Sequence, residues 1–338
     1  MREPPNISEE QLRTCLQEAY HLSAVALEFL PVGLDSRAGV YRVVSEQGTA
    51  YLLKAKQGTI YEPSCLVPRY LYDQGIDAVV APLPTERQTL WTQLGEWTLI
   101  LYLFLDGETG RNPAMSAAHW QAVGTALKQI HLVSLPTEGF ATLRKETFDP
   151  TGYSRWVRAF EAEQLGLQSG DQMGQALRSS WIAQQATIHA SLALLETLAE
   201  RLRQQSGPQV ICHADLHTSN MIRSQPNRVF LIDWDDVMLA PKERDFLFVG
   251  DPPANGAALQ DAPPFFQGYG PTEIDWIALA YYRWERVVQD VIAFAEEACL
   301  RDDLGEATRA EAVQWFQVNL AGGGMLDAAR AASQRANA

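Results

Sequence analysis

The chain has 338 residues, of which 46% are hydrophobic and 20% are charged, and its formal net charge at pH 7 is −14. This length and composition are typical of a globular protein of one or two domains and exclude a largely disordered chain. The negative charge argues against nucleic acids and anionic membranes as partners, because it repels phosphate groups, and it would attract a cationic small molecule. The alternative is that the acidic surface serves only solubility, as in many soluble proteins.

The cysteines stand at positions 15, 65, 212 and 299, and no pair has the spacing of a metal or redox site. They are typical of reduced thiols in the cytoplasm. The N-terminal sequence MREPPNISEE lacks the apolar core of a signal peptide. The longest apolar run, residues 99–105, is too short for a bilayer, which needs about 20 residues. We therefore expect a soluble cytoplasmic protein.

The first hundred residues predict one helix followed mainly by strands. ISEEQLRTCLQEAY has a candidate N-cap at Ser8 and apolar residues at helical spacing. GVYRVVSEQGTAYLLKAK predicts two strands around Gln47–Gly48, and TLWTQLGEWTLILYLFL predicts a hairpin that turns at Gly95–Glu96. Between them, EPSCLVPRYLYDQG predicts a short helix that Pro68 should kink or shorten.

Beyond the turn-rich sequence LDGETGRNP the pattern becomes helical. SAAHWQAVGTALKQIHLV, QATIHASLALLETLAERLRQ and the region from Ile274 to Cys299 carry apolar residues at i, i+3, i+4 and i+7. A short hairpin from Gln209 to Trp234 interrupts these helices, and the Ala-rich tail after Gly324 is expected to fray. The predicted fold class is therefore α+β and bilobal, with a small antiparallel-sheet N-lobe over residues 1–105, a larger mainly helical C-lobe over residues 106–338, and a cleft at their boundary.

The sequence ICHADLHTSNMIR, at 211–223, supports two hypotheses. In the first, His213, Asp215 and His217 alternate along a strand and form a metal site of a hydrolase. A binuclear site of that kind needs more ligands, and the other four histidines all lie in helical patterns without ligand-like spacing.

The second hypothesis is a kinase-type catalytic loop. In that pattern a loop aspartate accepts the proton of the acceptor hydroxyl, and an asparagine five residues later binds Mg²⁺. Asp215 and Asn220 have this spacing. RVFLI then predicts a strand that ends at Asp233, and the turn SQPN closes a hairpin that would place Asn220 beside Asp233. Amide and carboxylate oxygens of this kind suit Mg²⁺ next to ATP phosphates.

Two stretches of the chain carry a resemblance to a known family. CHADLHTSNMI followed by VFLIDWDDVMLAPKERDF resembles the signature of the aminoglycoside phosphotransferase family, small-molecule kinases with a protein-kinase-like fold. APKERD and FFQGYGPTEIDWIALAYYRWERVVQD are most similar to its spectinomycin phosphotransferase branch. The resemblance extends from about residue 29 to residue 294 and is strongest over residues 211–249.

The resemblance implies roles for single residues. Asp215 matches the catalytic carboxylate, and Asn220 and Asp233 match the two magnesium ligands. His213 matches a structural brace at the head of the motif. Asp245 matches an acid that braces the catalytic loop, although a helix N-cap would account for it equally.

A kinase of this type also needs a lysine on an N-lobe strand to hold the ATP phosphates. Lys54 follows the apolar run of YLLKAK and matches the family lysine, whereas Lys56, on the same face, is expected to be solvated. The partner of this lysine is usually a helix glutamate, for which Glu62 is the candidate. The alternative is that Glu62 is an exposed carboxylate favoured by the helix dipole.

Three further residues are candidates for ATP binding. Ser36 lies in VGLDSRAGVYRV, which has the position of a phosphate-covering loop but lacks the G-x-G-x-x-G pattern, so a plain hairpin turn would account for the same residues. The resemblance also implies that the backbone of Leu103 and Leu105 binds adenine.

Three residues are candidates for the acceptor site, namely His217 in the loop and Tyr282 and Glu285 in the helix of the spectinomycin branch. Solvent exposure of His217 and a core stripe for the helix residues are the alternatives. The sequence thus predicts ATP- and Mg²⁺-dependent phosphate transfer to a hydroxyl of a small cationic molecule, such as the antibiotic spectinomycin, and hence a role in antibiotic resistance. A metabolic kinase of the same fold acting on an amino alcohol or sugar, and a non-catalytic nucleotide-binding regulator, remain alternatives.

Overall fold

The computed structural model describes residues 4–32, 38–110, 115–136, 138–167, 171–205, 207–224, 227–249, 263–301 and 303–337. Helices α1 to α9 span Glu9–Tyr20, Pro63–Asp73, Ala117–Leu132, Thr151–Gln164, Gln172–Arg203, Pro263–Tyr269, Trp276–Cys299, Glu306–Leu320 and Gly324–Ala336. Strands β1 to β10 span Ala24–Leu30, Ala38–Ser45, Ala50–Gln57, Thr92–Leu94, Trp97–Leu103, Glu108–Thr109, Val210–Cys212, Met221–Ser224, Arg228–Leu231 and Met238–Ala240.

The chain divides into two compact units, each built from separate stretches of sequence. The first unit comprises residues 1–144, 213–238 and 267–270, and the second comprises the remaining residues. The first unit therefore contains both the N-terminal sheet and the predicted catalytic loop. The functional boundary predicted at residue 105 is a division along the chain, and it stays a prediction.

The first unit contains an antiparallel sheet with strand order β1-β2-β3-β5-β4. The predicted hairpins are confirmed, because β2 and β3 turn at Gly48 and β4 and β5 turn at Gly95. Both glycines have positive φ, 81° and 59°, a conformation that residues with a Cβ rarely adopt. Together with the helices that follow, this sheet confirms the predicted α+β fold class.

Helix α1 covers one face of this sheet. Ser8 forms the predicted capping box with Gln11 and so satisfies the first backbone donors of the helix. Leu12 and Leu16 are buried against Val43 and Leu53 of the sheet. This burial of apolar surface stabilises the sheet, whose lysine-bearing strand β3 lies in its centre.

Helix α2 forms where the short helix was predicted. It continues through Pro68 to Asp73, so Pro68 does not shorten it, and a kink at this residue stays a prediction. Pro68 is buried in the core, and we attribute the unbroken helix to this packing, which offsets the backbone hydrogen bond that proline removes.

A second sheet of the first unit, with strand order β6-β8-β9, positions the predicted site residues. Strands β8 and β9 pair antiparallel with Met221 opposite Leu231, as the predicted hairpin requires. Residues 225 and 226 of the predicted SQPN turn lie outside the described residues. Leu231 is fixed further by backbone hydrogen bonds with Ala78 and Val80, of 2.7 and 3.1 Å.

The second unit is mainly helical, with α5 and α7 packed together and α8 and α9 beside them. Trp181 of α5 is fully buried between Phe160 and Phe316. The expectation of a frayed tail is wrong, because α9 is a regular helix in which Ala328 and Ala329 are completely buried. In the part of the chain that the structure describes, no helix combines the length and apolarity needed to cross a bilayer.

Candidate functional site

The loop after β7 holds Asp215 and Asn220 against each other. The amide nitrogen of Asn220 donates to the backbone oxygen of Asp215 at 2.8 Å and approaches its carboxylate Oδ2 at 3.4 Å. Asn220 is buried, whereas the Asp215 side chain is 25% exposed. The amide oxygen of Asn220 is therefore the atom that is suited to a cation, and the Asp215 carboxylate remains accessible to a reactant.

The backbone just before Asp215 is strained. Ala214 has a φ of 72°, in the left-handed region that favours glycine. Strained backbone of this kind is typical of functional sites, where surrounding contacts hold a reactive group in place.

His213 provides such contacts. It is completely buried, its Nε2 donates to the backbone oxygen of Ile232 at 2.8 Å, and its Nδ1 accepts from the backbone nitrogen of Asp215 at 3.4 Å. Its ring also packs on Trp234 with centroids 4.6 Å apart. The geometry agrees with the brace that the resemblance implied. It argues against a His213 metal ligand, because both ring nitrogens already have protein partners.

Replacement of His213 by alanine is expected to cost about 2–4 kcal/mol of unfolding free energy, because it opens a cavity and removes the hydrogen bonds between the imidazole ring and the backbone of Ile232 and Asp215. Urea unfolding measures this change. His189→Ala is the matched control, since that ring is 51% exposed and pairs with Glu161 at the surface. Equal losses in the two variants would contradict the brace.

The second predicted magnesium ligand, Asp233, follows strand β9. Backbone pairing continues past the strand, with the nitrogen of Ile232 donating to the oxygen of Asn220 at 3.0 Å, so the open end of the hairpin brings 220 and 233 into neighbouring positions. Asp233 has a φ of 64°, which aspartate tolerates better than most residues, and its side chain is 45% exposed. Carboxylate and amide oxygens are ligand types that Mg²⁺ prefers, so Asp233 and Asn220 fit this ion.

Strand β3 brings two ammonium groups to carboxylates of the same segment. The Nζ of Lys54 lies 2.8 Å from Oδ1 of Asp233 and 2.9 Å from Oδ2 of Asp235. The Nζ of Lys56 lies 2.8 Å from the same oxygen of Asp235. The positive charge that ATP phosphates would need is therefore present. The charges of the two ammonium groups and the two carboxylates cancel.

These ion pairs shift the pKa values of Lys54 and Asp235. Burial alone would lower the pKa of Lys54, but Asp233 and Asp235 outweigh it and raise the pKa above its ordinary value. Burial alone would raise the pKa of Asp235, but Lys54 and Lys56 outweigh it and lower the pKa. Lys54 therefore stays protonated and Asp235 stays ionised around neutral pH.

The structure bears on two expectations about the surroundings of Lys54, one for Lys56 and one for Glu62. Lys56 is only 21% exposed and pairs with Asp235, so the expectation that it is solvated is wrong, because a carboxylate of the β9 segment lies opposite it. Glu62 is exposed just before α2, and the structure brings Lys54 to Asp233 and Asp235 rather than to Glu62. A role for Glu62 in ATP binding stays a prediction.

Asp235 is the residue of this cluster that the sequence analysis missed. The signal was present as two patterns with the same spacing, Lys-Ala-Lys at 54–56 and Asp-Trp-Asp at 233–235. Both patterns place two charges of one sign on the same side of an extended chain. Pairing them required the information that β3 and the segment after β9 lie together.

The remaining ATP-binding candidates are less defined. Ser36 lies outside the described residues. Leu103 ends β5 and is half exposed, and Leu105 follows it in irregular backbone. These positions allow an exposed backbone at the end of the sheet, and contact of either residue with adenine stays a prediction.

His217 approaches the catalytic candidate closely. Its Nε2 lies 3.5 Å from Oδ2 of Asp215, and its side chain is 27% exposed. The ring is thus placed to orient the Asp215 carboxylate or to touch a molecule bound beside it. Contact with substrate stays a prediction.

The candidates in the second unit lie in its interior. Tyr282 is completely buried, and Glu285 forms an ion pair with Arg244 and accepts hydrogen bonds from Tyr153 and Tyr281 at 3.2 and 3.3 Å. Burial alone would lower the pKa of Arg244, but Glu285 outweighs it and raises the pKa. This arrangement favours the core-stripe alternative for both candidates, and their contact with substrate stays a prediction.

Asp245 is also buried, and its backbone nitrogen donates to the oxygen of Lys242 at 3.1 Å in the turn that precedes it. The loop-bracing role implied by the resemblance stays a prediction.

Comparison with known proteins adds to this geometry. A model described as the phosphotransferase enzyme family, APH, matches residues 28–282. Spectinomycin phosphotransferase APH(9)-Ia in complex with ADP and spectinomycin superposes with a TM-score of 0.85 at 29% identity, covering 97% of this chain and 99% of that chain. Its AMP-bound complex gives 0.81 at 28% identity, with 96% and 98% covered.

A more distant likeness concerns the fold alone. The amicoumacin kinase hAmiN, in complex with AMP-PNP and Ca²⁺, superposes with a TM-score of 0.62 at 17% identity, covering 94% of this chain and 95% of that chain.

Proposed function

The chain belongs to the phosphotransferase enzyme family and is a small-molecule kinase; from this premise we propose that it transfers the γ-phosphate of ATP to a hydroxyl of a small cationic molecule. The best candidate for that molecule is an aminocyclitol such as spectinomycin. Mg²⁺ would be required, held by Asn220 and Asp233.

One observation carries this proposal. A single compact unit contains Asp215 in contact with Asn220, and Asp233 in contact with Lys54. Phosphate transfer needs a carboxylate for the acceptor hydroxyl, oxygen ligands for a divalent cation, and an ammonium group for the phosphates. A regulator without catalytic activity would have no need of an accessible Asp215.

Each residue of the site would have a separate role in phosphate transfer. Asp215 accepts a hydrogen bond from the acceptor hydroxyl and takes its proton as the hydroxyl oxygen bonds to the γ-phosphorus. The bond from that phosphorus to the β–γ bridging oxygen breaks, and its electron pair leaves with ADP. Lys54 neutralises phosphate charge, while Asn220 fixes the Asp215 loop through its amide nitrogen. Bound Mg²⁺ would neutralise the remaining phosphate charge and orient the phosphates.

The cationic character of the acceptor is supported by two findings. The formal net charge of −14 favours the approach of ammonium groups over that of anions. The similar enzyme APH(9)-Ia was crystallised with spectinomycin, which has protonated amines, and it covers nearly the whole chain. We therefore propose a role in antibiotic resistance, in the cytoplasm where ATP is supplied.

A substrate panel tests the proposal. The purified protein with Mg²⁺ and ATP should produce ADP at least tenfold faster with spectinomycin than without an acceptor, and the product should carry one additional phosphate by mass spectrometry. Aminoglycosides, ethanolamine and simple sugars serve as comparison acceptors. Faster turnover with an amino alcohol or sugar would identify a metabolic kinase instead. ATP binding without turnover on any acceptor would favour the regulator.

A further inference from the structure

The side chains of both lysines of strand β3 reach Asp235. One oxygen of its carboxylate, Oδ2, accepts a hydrogen bond from each of the two ammonium groups. We propose that Asp235 is a positioning residue for the phosphate site and that Lys56 is a second phosphate-binding group beside Lys54. This inference rests on the proposed function, because it concerns how the same site receives the phosphates of ATP.

The strand itself aligns the two lysines. Lys54 and Lys56 are two residues apart in β3 and therefore project from the same face of the sheet. Pairing with β2 and β5 on both sides fixes their backbone, since Lys54 lies between Val40 and Ile100. Their side chains are only 15% and 21% exposed, so their ammonium groups are held close to one carboxylate rather than extended into solvent.

Hydrogen bonds also fix the backbone around Asp235. Its backbone oxygen accepts from Nη2 of Arg144 at 2.8 Å. The residue before it, Trp234, is buried and donates from its indole nitrogen to the oxygen of Leu231 at 3.2 Å. The segment that carries the carboxylate is thus anchored at Trp234 and at the backbone of Asp235 itself, and such support is what a positioning residue requires.

The two aspartates have different exposure and therefore suit different tasks. Asp233 is 45% exposed and pairs with Lys54, whereas Asp235 is 33% exposed and pairs with both lysines. When Asp233 serves as a ligand for a cation, Lys54 loses that partner and keeps Asp235. Asp235 thereby takes the place in which the sequence analysis expected Glu62.

This arrangement has opposite effects on binding and on reaction. A carboxylate beside two ammonium groups competes with phosphates for them, so its removal should strengthen the binding of a nucleotide in the absence of metal. The same carboxylate fixes the direction of Lys54, so its removal should slow phosphate transfer. General damage to the fold would weaken both binding and turnover.

The experiment uses the full chain and three variants. Asp235→Asn removes the shared carboxylate, and Lys56→Met removes the second ammonium group at similar length. Asp236→Asn is the matched control, because Asp236 neighbours the site and, among the residues described, its carboxylate pairs with Arg144, at 3.4 Å, and with neither lysine. Titration calorimetry without metal measures the affinity for ADP and for adenosine, and coupled assays measure kcat and KM for ATP.

Asp235→Asn should bind metal-free ADP about tenfold more tightly and yet turn over at least tenfold more slowly. Lys56→Met should bind ADP about tenfold more weakly while its affinity for adenosine is unchanged. Asp236→Asn should match the wild type in all measurements. If Asp235→Asn does not fold, the double variant Lys56→Met, Asp235→Asn restores the charge balance, and its kcat should still be reduced.

Equal ADP affinity in Lys56→Met and the wild type would overturn the role of Lys56. Parallel losses of ADP affinity and turnover in Asp235→Asn would overturn the positioning role. If the ADP titrations behave as expected but no hydroxyl compound is phosphorylated, the proposed reaction fails and the phosphate site stands. If the wild type binds neither ADP nor ATP, both proposals fail.

Discussion

Replacement of Asp215 by asparagine is expected to lower kcat about a thousandfold, the range over which a positioned general base accelerates proton transfer. The amide cannot accept the proton of the acceptor hydroxyl as the new bond to phosphorus forms. Affinity for ATP should change little, because the phosphate contacts come from Lys54 and the cation ligands. Asp215→Ala should behave in the same way.

The asparagine variant keeps the size of the side chain and one of its oxygens. The contact from Asn220 to the backbone oxygen of Asp215 is independent of the carboxylate, so the loop should retain its conformation. Single-turnover assays with calorimetric ATP titration measure both quantities, and Asp236→Asn serves again as the control. Turnover near that of the wild type would contradict a role of Asp215 as the general base.

Replacement of Asp233 by asparagine should produce the second large effect. Affinity for ATP in the presence of Mg²⁺ should fall on the order of tenfold and turnover on the order of a hundredfold, because a charged ligand is lost. Asparagine is the appropriate replacement, since it tolerates the φ of 64° at this position, whereas alanine would add backbone strain to the loss of charge.

Titration of ATP with and without Mg²⁺ separates the metal role from the ion pair. Without Mg²⁺ the variant should bind ATP at least as well as the wild type, because Lys54 is freed from the carboxylate 2.8 Å away. With Mg²⁺ the gain in affinity that the wild type shows should be absent. An identical gain in both proteins would argue against Asp233 as a cation ligand.

Local patterns predicted the parts of the fold that depend on neighbouring residues. The alternation and glycine turns of residues 39–56 and 89–105 specified two hairpins, and β8 pairs with β9 as expected. Helix α3 begins after the serine of SAAHW, which forms the capping box. In each case one short stretch of sequence contains both the apolar period and the terminating residue.

The expectation of a frayed tail failed for the opposite reason. Helix α9 is ordered because packing against distant residues overrides weak local preferences. The nitrogen of the Trp284 indole, for example, donates to the hydroxyl of Ser333 in α9 at 2.8 Å. No local pattern in the Ala-rich tail contains that information.

The candidate site shows the same division. Asp215, Asn220, Asp233 and Lys54 were predicted from spacing and resemblance, and the structure brings them into contact in pairs. The structure pairs Lys54 with Asp233 and Asp235, and the second of these partners was not predicted, while a role for Glu62 stays a prediction. Ion pairs across long stretches of chain depend on geometry that spacing does not encode.

The division of the first unit along the chain has a consequence for its synthesis. Lys54 and Asp233 are 179 positions apart, with residues 145–212 of the other unit encoded between them. The chain must have emerged from the ribosome to well past position 233 before the lysines of β3 can pair with their carboxylates. Until then the nascent sheet presents unneutralised lysines, and contacts of such long range form slowly. Chaperones that bind emerging chains would therefore be expected to raise the yield of active enzyme.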